Sequence, residues 1–155
     1  MLEKNTTSRR QPSDTSDPAK RLGRTGHYRL REVHNGKVAF AEVRLRLEPS
    51  QKSGFTVNKS SESSSATNIP IAWSRAALRG AKGAMSFIHK HGLVDGSWQV
   101  LVENVIGSIS DTTSDAVECA SGMALWSGLI PQHKLPEIDA NGRLRVKWSN
   151  DAAVR

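Results

Sequence analysis

Among its 155 residues the chain has one cysteine, one tyrosine and three phenylalanines. No apolar run approaches the roughly 20 residues that a helical membrane span needs. Cys119 has no second thiol to pair with, so an internal disulfide is excluded and a reducing cytoplasm is the expected location. Met1-Leu2-Glu3-Lys4-Asn5 lacks the apolar core of a secretion signal. Asn5-Thr6-Thr7 and Asn58-Lys59-Ser60 match the glycosylation pattern, but without an export signal both read as chance. No Gly-x-x-x-x-Gly-Lys-Ser/Thr phosphate loop occurs, and the chain is too short to hold a GTPase domain beside another fold. No carboxylate pair and no Ser/His/Asp arrangement stands out, and the five histidines are scattered.

Charge of one sign is missing locally as well. Residues 71–92 carry Arg75, Arg79, Lys82 and Lys90 and no acid, whereas residues 93–118 carry Asp95, Glu103, Asp111, Asp115 and Glu118 and no lysine or arginine. The net charge of +7 is thus unevenly spread, and a basic face favours polyanions through phosphate contacts and counterion release. The competing explanation is a solvated face on a merely basic chain. With 37% hydrophobic residues and polar ends, the length suits one packed domain.

Residues 1–25 read as a disordered basic and polar tail, with Pro12, Pro18 and almost nothing apolar to bury. Residues 26–130 form the expected domain, and 131–155 a C-terminal extension. His27–His34 and Lys37–Leu47 read as strands around Asn35-Gly36, because both central residues of a type I′ turn need positive φ. In the second strand Ala39, Ala41, Val43, Leu45 and Leu47 share one face, and Phe40, Glu42, Arg44 and Arg46 the other. That alternation predicts a sheet covered on one side only. Gly54–Asn58 reads as a short strand, and 59–68 as a mobile polar loop.

Between Ile71 and about His91 the pattern becomes helical. Ala77, Leu78, Ala81, Ala84, Met85 and Ile88 make a buried stripe, and Arg75, Arg79, Lys82 and Ser86 lie on another face. Gly80 and Gly83 cost roughly 1 kcal/mol each against alanine, so close backbone approach is expected at both. Gly92 suits the C′ position. A strand over Trp98–Val105 leads to a second helix capped by Asp111 or Thr112 and ending near Ser127-Gly128. Arg143-Leu144-Arg145-Val146-Lys147-Trp148 alternates cations with apolar groups and is expected to add an edge strand.

Three chemical readings are weak. The Ser60–Ala66 run ahead of a helix resembles the phosphate loop of small-molecule kinases, but it has no glycine to let backbone approach a phosphate. His89 and His91 point about 200° apart on a helix of 3.6 residues per turn and cannot readily share a metal. Cys119 lies among Ala116, Val117, Ala120 and Met123, which describes a buried thiol rather than a nucleophile. At least three of Trp73, Trp98, Trp126 and Trp148 are expected to pack in the core rather than stack on bases.

The order β-β-(β)-α-β-α, the basic-stripe helix, the turn Gly92-Leu93-Val94-Asp95-Gly96 and the Asp111–Ala120 helix start together resemble the fourth domain of elongation factor G. The resemblance spans Gly26 to Leu129. It implies an α+β two-layer sandwich of the kind seen in the second domain of ribosomal protein S5, and a partner that is RNA or a ribosome. Two departures fall at the tips. Family members carry a long glycine-rich loop where this chain has only His34-Asn35-Gly36-Lys37, and a histidine-bearing loop where it has Ile106-Gly107-Ser108-Ile109-Ser110.

The expectation is therefore a non-catalytic RNA- or ribosome-binding module without translocase activity, cofactor or metal. Its phosphate contacts would come from Arg75, Arg79 and Lys82 on the helix, or from Arg44, Arg46, Arg143, Arg145 and Lys147 on the open sheet face. The alternative keeps the fold but uses the open sheet or its edge to dock a protein partner or a second copy.

Overall fold

The computed structural model describes residues 22–58, 69–140 and 143–148. The expected polar loop at 59–68 and nearly all of the N-terminal tail lie outside them. Strands β1 (Arg24–His34) and β2 (Lys37–Ser50) form an antiparallel hairpin. Asn35 and Gly36 turn it with φ of 49° and 74°, as a type I′ turn requires. β1 starts two residues inside the segment read as tail, and Arg24 Nη1 donates to the Leu129 carbonyl at 2.6 Å. β3 (Gly54–Val57), α1 (Ile71–Lys90) and β4 (Ser97–Ile106) follow, with β3 and β4 parallel and α1 as their crossover. α2 (Ser114–Leu129) then packs beside α1.

The main sheet is mixed, in the order β1-β2-β4-β3, and both helices cover one face. The fold is an α+β two-layer sandwich. Leu30, Ala41, Val43, Leu45, Leu47, Val100, Val102 and Val105 fill the sheet side of the core. Five of the six residues in the α1 stripe are buried, and Leu78 is half-buried. α2 is buried almost all round, from Ala116 to Leu129, because sheet, α1 and C-terminal residues enclose it. A helix so enclosed has no polar face to preserve.

The two glycines of α1 differ. At Gly80 an added Cβ would lie 2.1 Å from the Glu118 carbonyl oxygen, so the helices meet backbone to backbone. The Ser121 hydroxyl donates to the Ala77 carbonyl at 2.6 Å in the same contact. At Gly83 an added Cβ would meet nothing within 4 Å, so close approach does not explain that residue. Thr113 caps α2, accepting from Ala116 N, and not Asp111 or Thr112. Those two residues are taken by β2: Phe40 N donates to the Asp111 carbonyl at 2.9 Å, and the Thr112 hydroxyl donates to the Phe40 carbonyl at 2.6 Å.

The C-terminal strand does not extend the main sheet. β5 (Glu137–Asp139) and β6 (Arg145–Lys147) pair with each other as a separate antiparallel ribbon. Leu144, Val146 and Trp148 pack on the core from there, with Trp148 stacked on Phe87 at 5.4 Å and tilted against Trp126 at 5.8 Å. The alternation does separate apolar from charged groups, but the helices, not a strand edge, provide the apolar partner.

Candidate nucleic-acid interface

α1 places Arg75, Arg79 and Lys82 on its exposed side, at i, i+4 and i+7. A rise of 1.5 Å per residue spreads them over about 10 Å. Arg79 Nε lies 3.3 Å from Glu118 Oε2, an exposed pair. The Lys82 ammonium sits 5.9 Å from the centroid of the Phe55 ring. Among the described residues Arg75 has no ion pair.

Across α1 and α2 the C-terminal ribbon closes an open cleft of about 450 Å³. Arg79, Arg143, Arg145, Asp115 and Glu118 contribute to its wall, and Gly80, Gly83 and Cys119 line it from the helices. Arg145 donates from Nε and Nη2 to Asp139 Oδ2, both at 3.1 Å, and Lys147 Nζ lies 4.0 Å from Glu137. Arg143 has no ion pair among the described residues. Arg143 and Arg145 thus join Arg79 on the helical side, and not Arg44 and Arg46 as the edge-strand reading required. Docking of β6 on the helices causes this regrouping.

The open sheet face carries both cations and acids. Arg46 Nη2 is 2.7 Å from Glu103 Oε1. The register shifts between Arg44, opposite Asn104, and Leu45, opposite Val102, which leaves Glu103 as the extra residue of a bulge. Glu42 takes His27 at 2.8 Å and Arg29 at 3.7 Å. Arg44 stands exposed, with no ion pair among the described residues. Two cations that sequence reading overlooked, Arg29 and Arg31, share this face, and the Arg29 guanidinium lies 5.4 Å from the Phe40 ring centroid. Their signal was the alternation His27, Arg29, Arg31, Val33 along β1.

The Asn35-Gly36 turn and the 107–112 loop lie side by side, since the loop before α2 is fastened to Phe40 of β2. Ile109 is fully exposed there, and Val33 is 68% exposed. A cleft lined by His34, Lys37, Ser110, Asp111 and Arg143 runs between this end and the ribbon.

Cys119 is buried, and burial, followed by the charges of Glu118 and Asp115, pushes its thiol up to about 12. Such a thiol stays protonated and is a poor nucleophile. Tyr28 is raised from its ordinary value, mainly by burial and next by Glu32. His89 Nε2 is 3.1 Å from the Gly96 carbonyl, and His91 packs 4.3 Å from the Phe87 ring. Trp98 and Trp126 are buried, while Trp73 and Trp148 are half-buried against the core. Among the described residues no three His, Cys, Asp or Glu side chains converge as a metal site, and no helix is long and apolar enough to cross a membrane.

No protein-family model matches the chain, and no curated protein matches it. Among solved structures, the crystal structure of a Thermus thermophilus protein matches with a TM-score of 0.58 and 22% identity over 76% of this chain. The match covers only 17% of the Thermus chain, so this domain corresponds to one part of a much longer protein. At that identity the likeness is one of fold alone.

Proposed function

We propose that this domain is a non-catalytic module that binds structured RNA, in the setting of a cytoplasmic ribosome, through its helical side. The observation that carries the reading is the grouping of Arg75, Arg79 and Lys82 on an acid-free helix with Arg143 and Arg145 across the adjoining cleft. Three of these, Arg75, Lys82 and Arg143, have no ion pair among the described residues and so have charge left for phosphate. The sheet face supports the reading less well, because Glu42 and Glu103 hold Arg29 and Arg46 there, which leaves Arg31 and Arg44 as its arginines without an ion pair among the described residues. The resemblance to the fourth domain of elongation factor G points to the same partner. Its departures at the tips point to contact through the helical side instead of the tips.

Phosphate contacts of this kind give affinity and orientation with little sequence readout. The test is a titration of a fluorescent RNA hairpin, with ribosome pelleting alongside, at two salt concentrations. Three to five phosphate contacts predict a loss of about two powers of ten in affinity between about 50 and 200 mM salt. Arg75→Ala with Lys82→Ala should weaken binding and flatten that dependence. Affinity that ignored both salt and the double substitution would defeat the reading.

A further inference from the structure

The outer edge of β1 has hydrogen-bonding groups to spare. In a two-residue hairpin the residues flanking the turn, His34 and Lys37, exchange hydrogen bonds, and the pattern alternates along the strand. Leu30, Glu32 and His34 therefore bond to β2, and His27, Arg29, Arg31 and Val33 turn their backbone groups outward. Two contacts agree with this parity. The Ser127 hydroxyl reaches the outward His27 carbonyl at 3.2 Å, and Phe40, opposite Arg31, bonds to the 108–112 loop instead of β1. Among the described residues nothing pairs with the backbone of Arg29, Arg31 or Val33.

The two sides of this edge differ in chemistry. On the open face the outward residues carry Arg29 and Arg31, both exposed, followed by Val33. On the helical side, between β1 and the stretch leading into β5, lies a shallow groove of about 360 Å³. Tyr28, Met123, Leu135, Pro136 and Ile138 give it apolar contacts between two acidic residues, Glu32 and Glu137, and Leu135 is 39% exposed. A strand laid along β1 would send successive side chains alternately over the arginines and into this groove.

We propose that β1 is a docking edge for an extended segment of a partner protein whose residues alternate acidic and apolar, added as a fifth strand of the sheet. The main chain supplies affinity and the alternating side chains supply selectivity, as in other strand additions. Acidic side chains meet Arg29 and Arg31, and apolar ones enter the Tyr28–Leu135 groove. A second copy of this chain fits worse. Antiparallel pairing of β1 with itself about Arg29 and Arg31 sets arginine beside arginine, which is unfavourable. The proposal uses a different surface from the RNA reading and stands without it.

The probe is a terminally blocked, fluorescent octapeptide of alternating glutamate and valine, titrated into the full chain. Arg31→Glu should weaken binding at least about ten-fold, a loss of the size expected for reversing an interfacial charge. Lysine in place of glutamate, or N-methylation of alternate peptide amides, should abolish it. Amide exchange should slow at Arg29, Arg31 and Val33 on binding, with no change at Leu30 or Glu32. Val33→Pro removes one outward donor at an edge position where proline is tolerated; if that variant fails to fold, the Arg31 variant and the exchange pattern still decide. Absence of peptide binding, binding that survives N-methylation, or protection outside β1 would overturn the proposal. So would oligouridine binding in place of the peptide with the same dependence on Arg31, or β1 protection through self-association alone.

Discussion

Gly80 of α1 and Glu118 of α2 lie so close that a Cβ at position 80 would sit 2.1 Å from the Glu118 carbonyl oxygen. Carbonyl oxygen is backbone and cannot swing away. Gly80→Ala should therefore push the helices apart and destabilise the fold by about 1–3 kcal/mol, despite the better helix propensity of alanine. Gly83 is the internal control. Nothing lies within 4 Å of its added Cβ, so Gly83→Ala should be neutral or stabilising by up to about 1 kcal/mol. Urea unfolding of the two variants checks the contrast, and equal effects would contradict it.

The hairpin and α1 were legible because their signals are local. Asn35-Gly36 needs only its own backbone to favour the turn, and the 3.6-residue period of α1 reports which face is buried. The cap of α2 was misplaced because Asp111, Thr112 and Thr113 are all plausible cap residues. Only the approach of Phe40 removes the first two, across a sequence separation that no local pattern carries. The ribbon was misjudged for a related reason. Alternation in 143–148 shows that one face is apolar but not what covers it. The candidate site inherited the error, since the company kept by Arg143 and Arg145 depends on where that strand docks.

Burial of Cys119 predicts a loss of stability in alkali. Burial pushes the folded thiol up to about 12 from the ordinary value of 9.0 that the unfolded chain keeps, so between these the native state holds more protons than the unfolded. Stability from this group is then fully present below about pH 9 and falls as pH rises, by up to about 1.4 kcal/mol per unit. Thermal unfolding at a series of pH values from about 8 to about 10.5 checks it. Cys119→Ala should flatten this part of the profile, and an unchanged slope would mean that other groups, Tyr28 among them, carry it.

Arg79 and Glu118 are both about half exposed, and such pairs contribute about 0–1 kcal/mol. Glu118→Gln should therefore leave the melting temperature nearly unchanged. It also releases Arg79 and removes a negative charge from the cleft, so RNA affinity at low salt should rise by roughly two- to five-fold, equivalent to about 0.4–1 kcal/mol. A hairpin-RNA titration of this variant reads the effect directly. A fall in affinity would place the glutamate in the contact itself.

The two basic faces make opposite demands on the same RNA. If the helical side binds, Arg75→Ala with Lys82→Ala removes two cations that have no ion pair among the described residues, and affinity should drop by roughly ten-fold or more at low salt. Arg44→Ala with Arg46→Ala on the sheet face removes the same formal charge. One of its two cations, however, is held 2.7 Å from Glu103, and its loss leaves that glutamate exposed to repel phosphate from the sheet alone. The sheet-face pair should then change RNA affinity by less than about three-fold, the size of a long-range field effect screened over roughly 8–10 Å. Its stability cost should stay small, because the ion pair it breaks is partly exposed. The reverse ranking, with the sheet-face pair the more damaging, would move the RNA to the open face and set it in competition with any strand docked on β1.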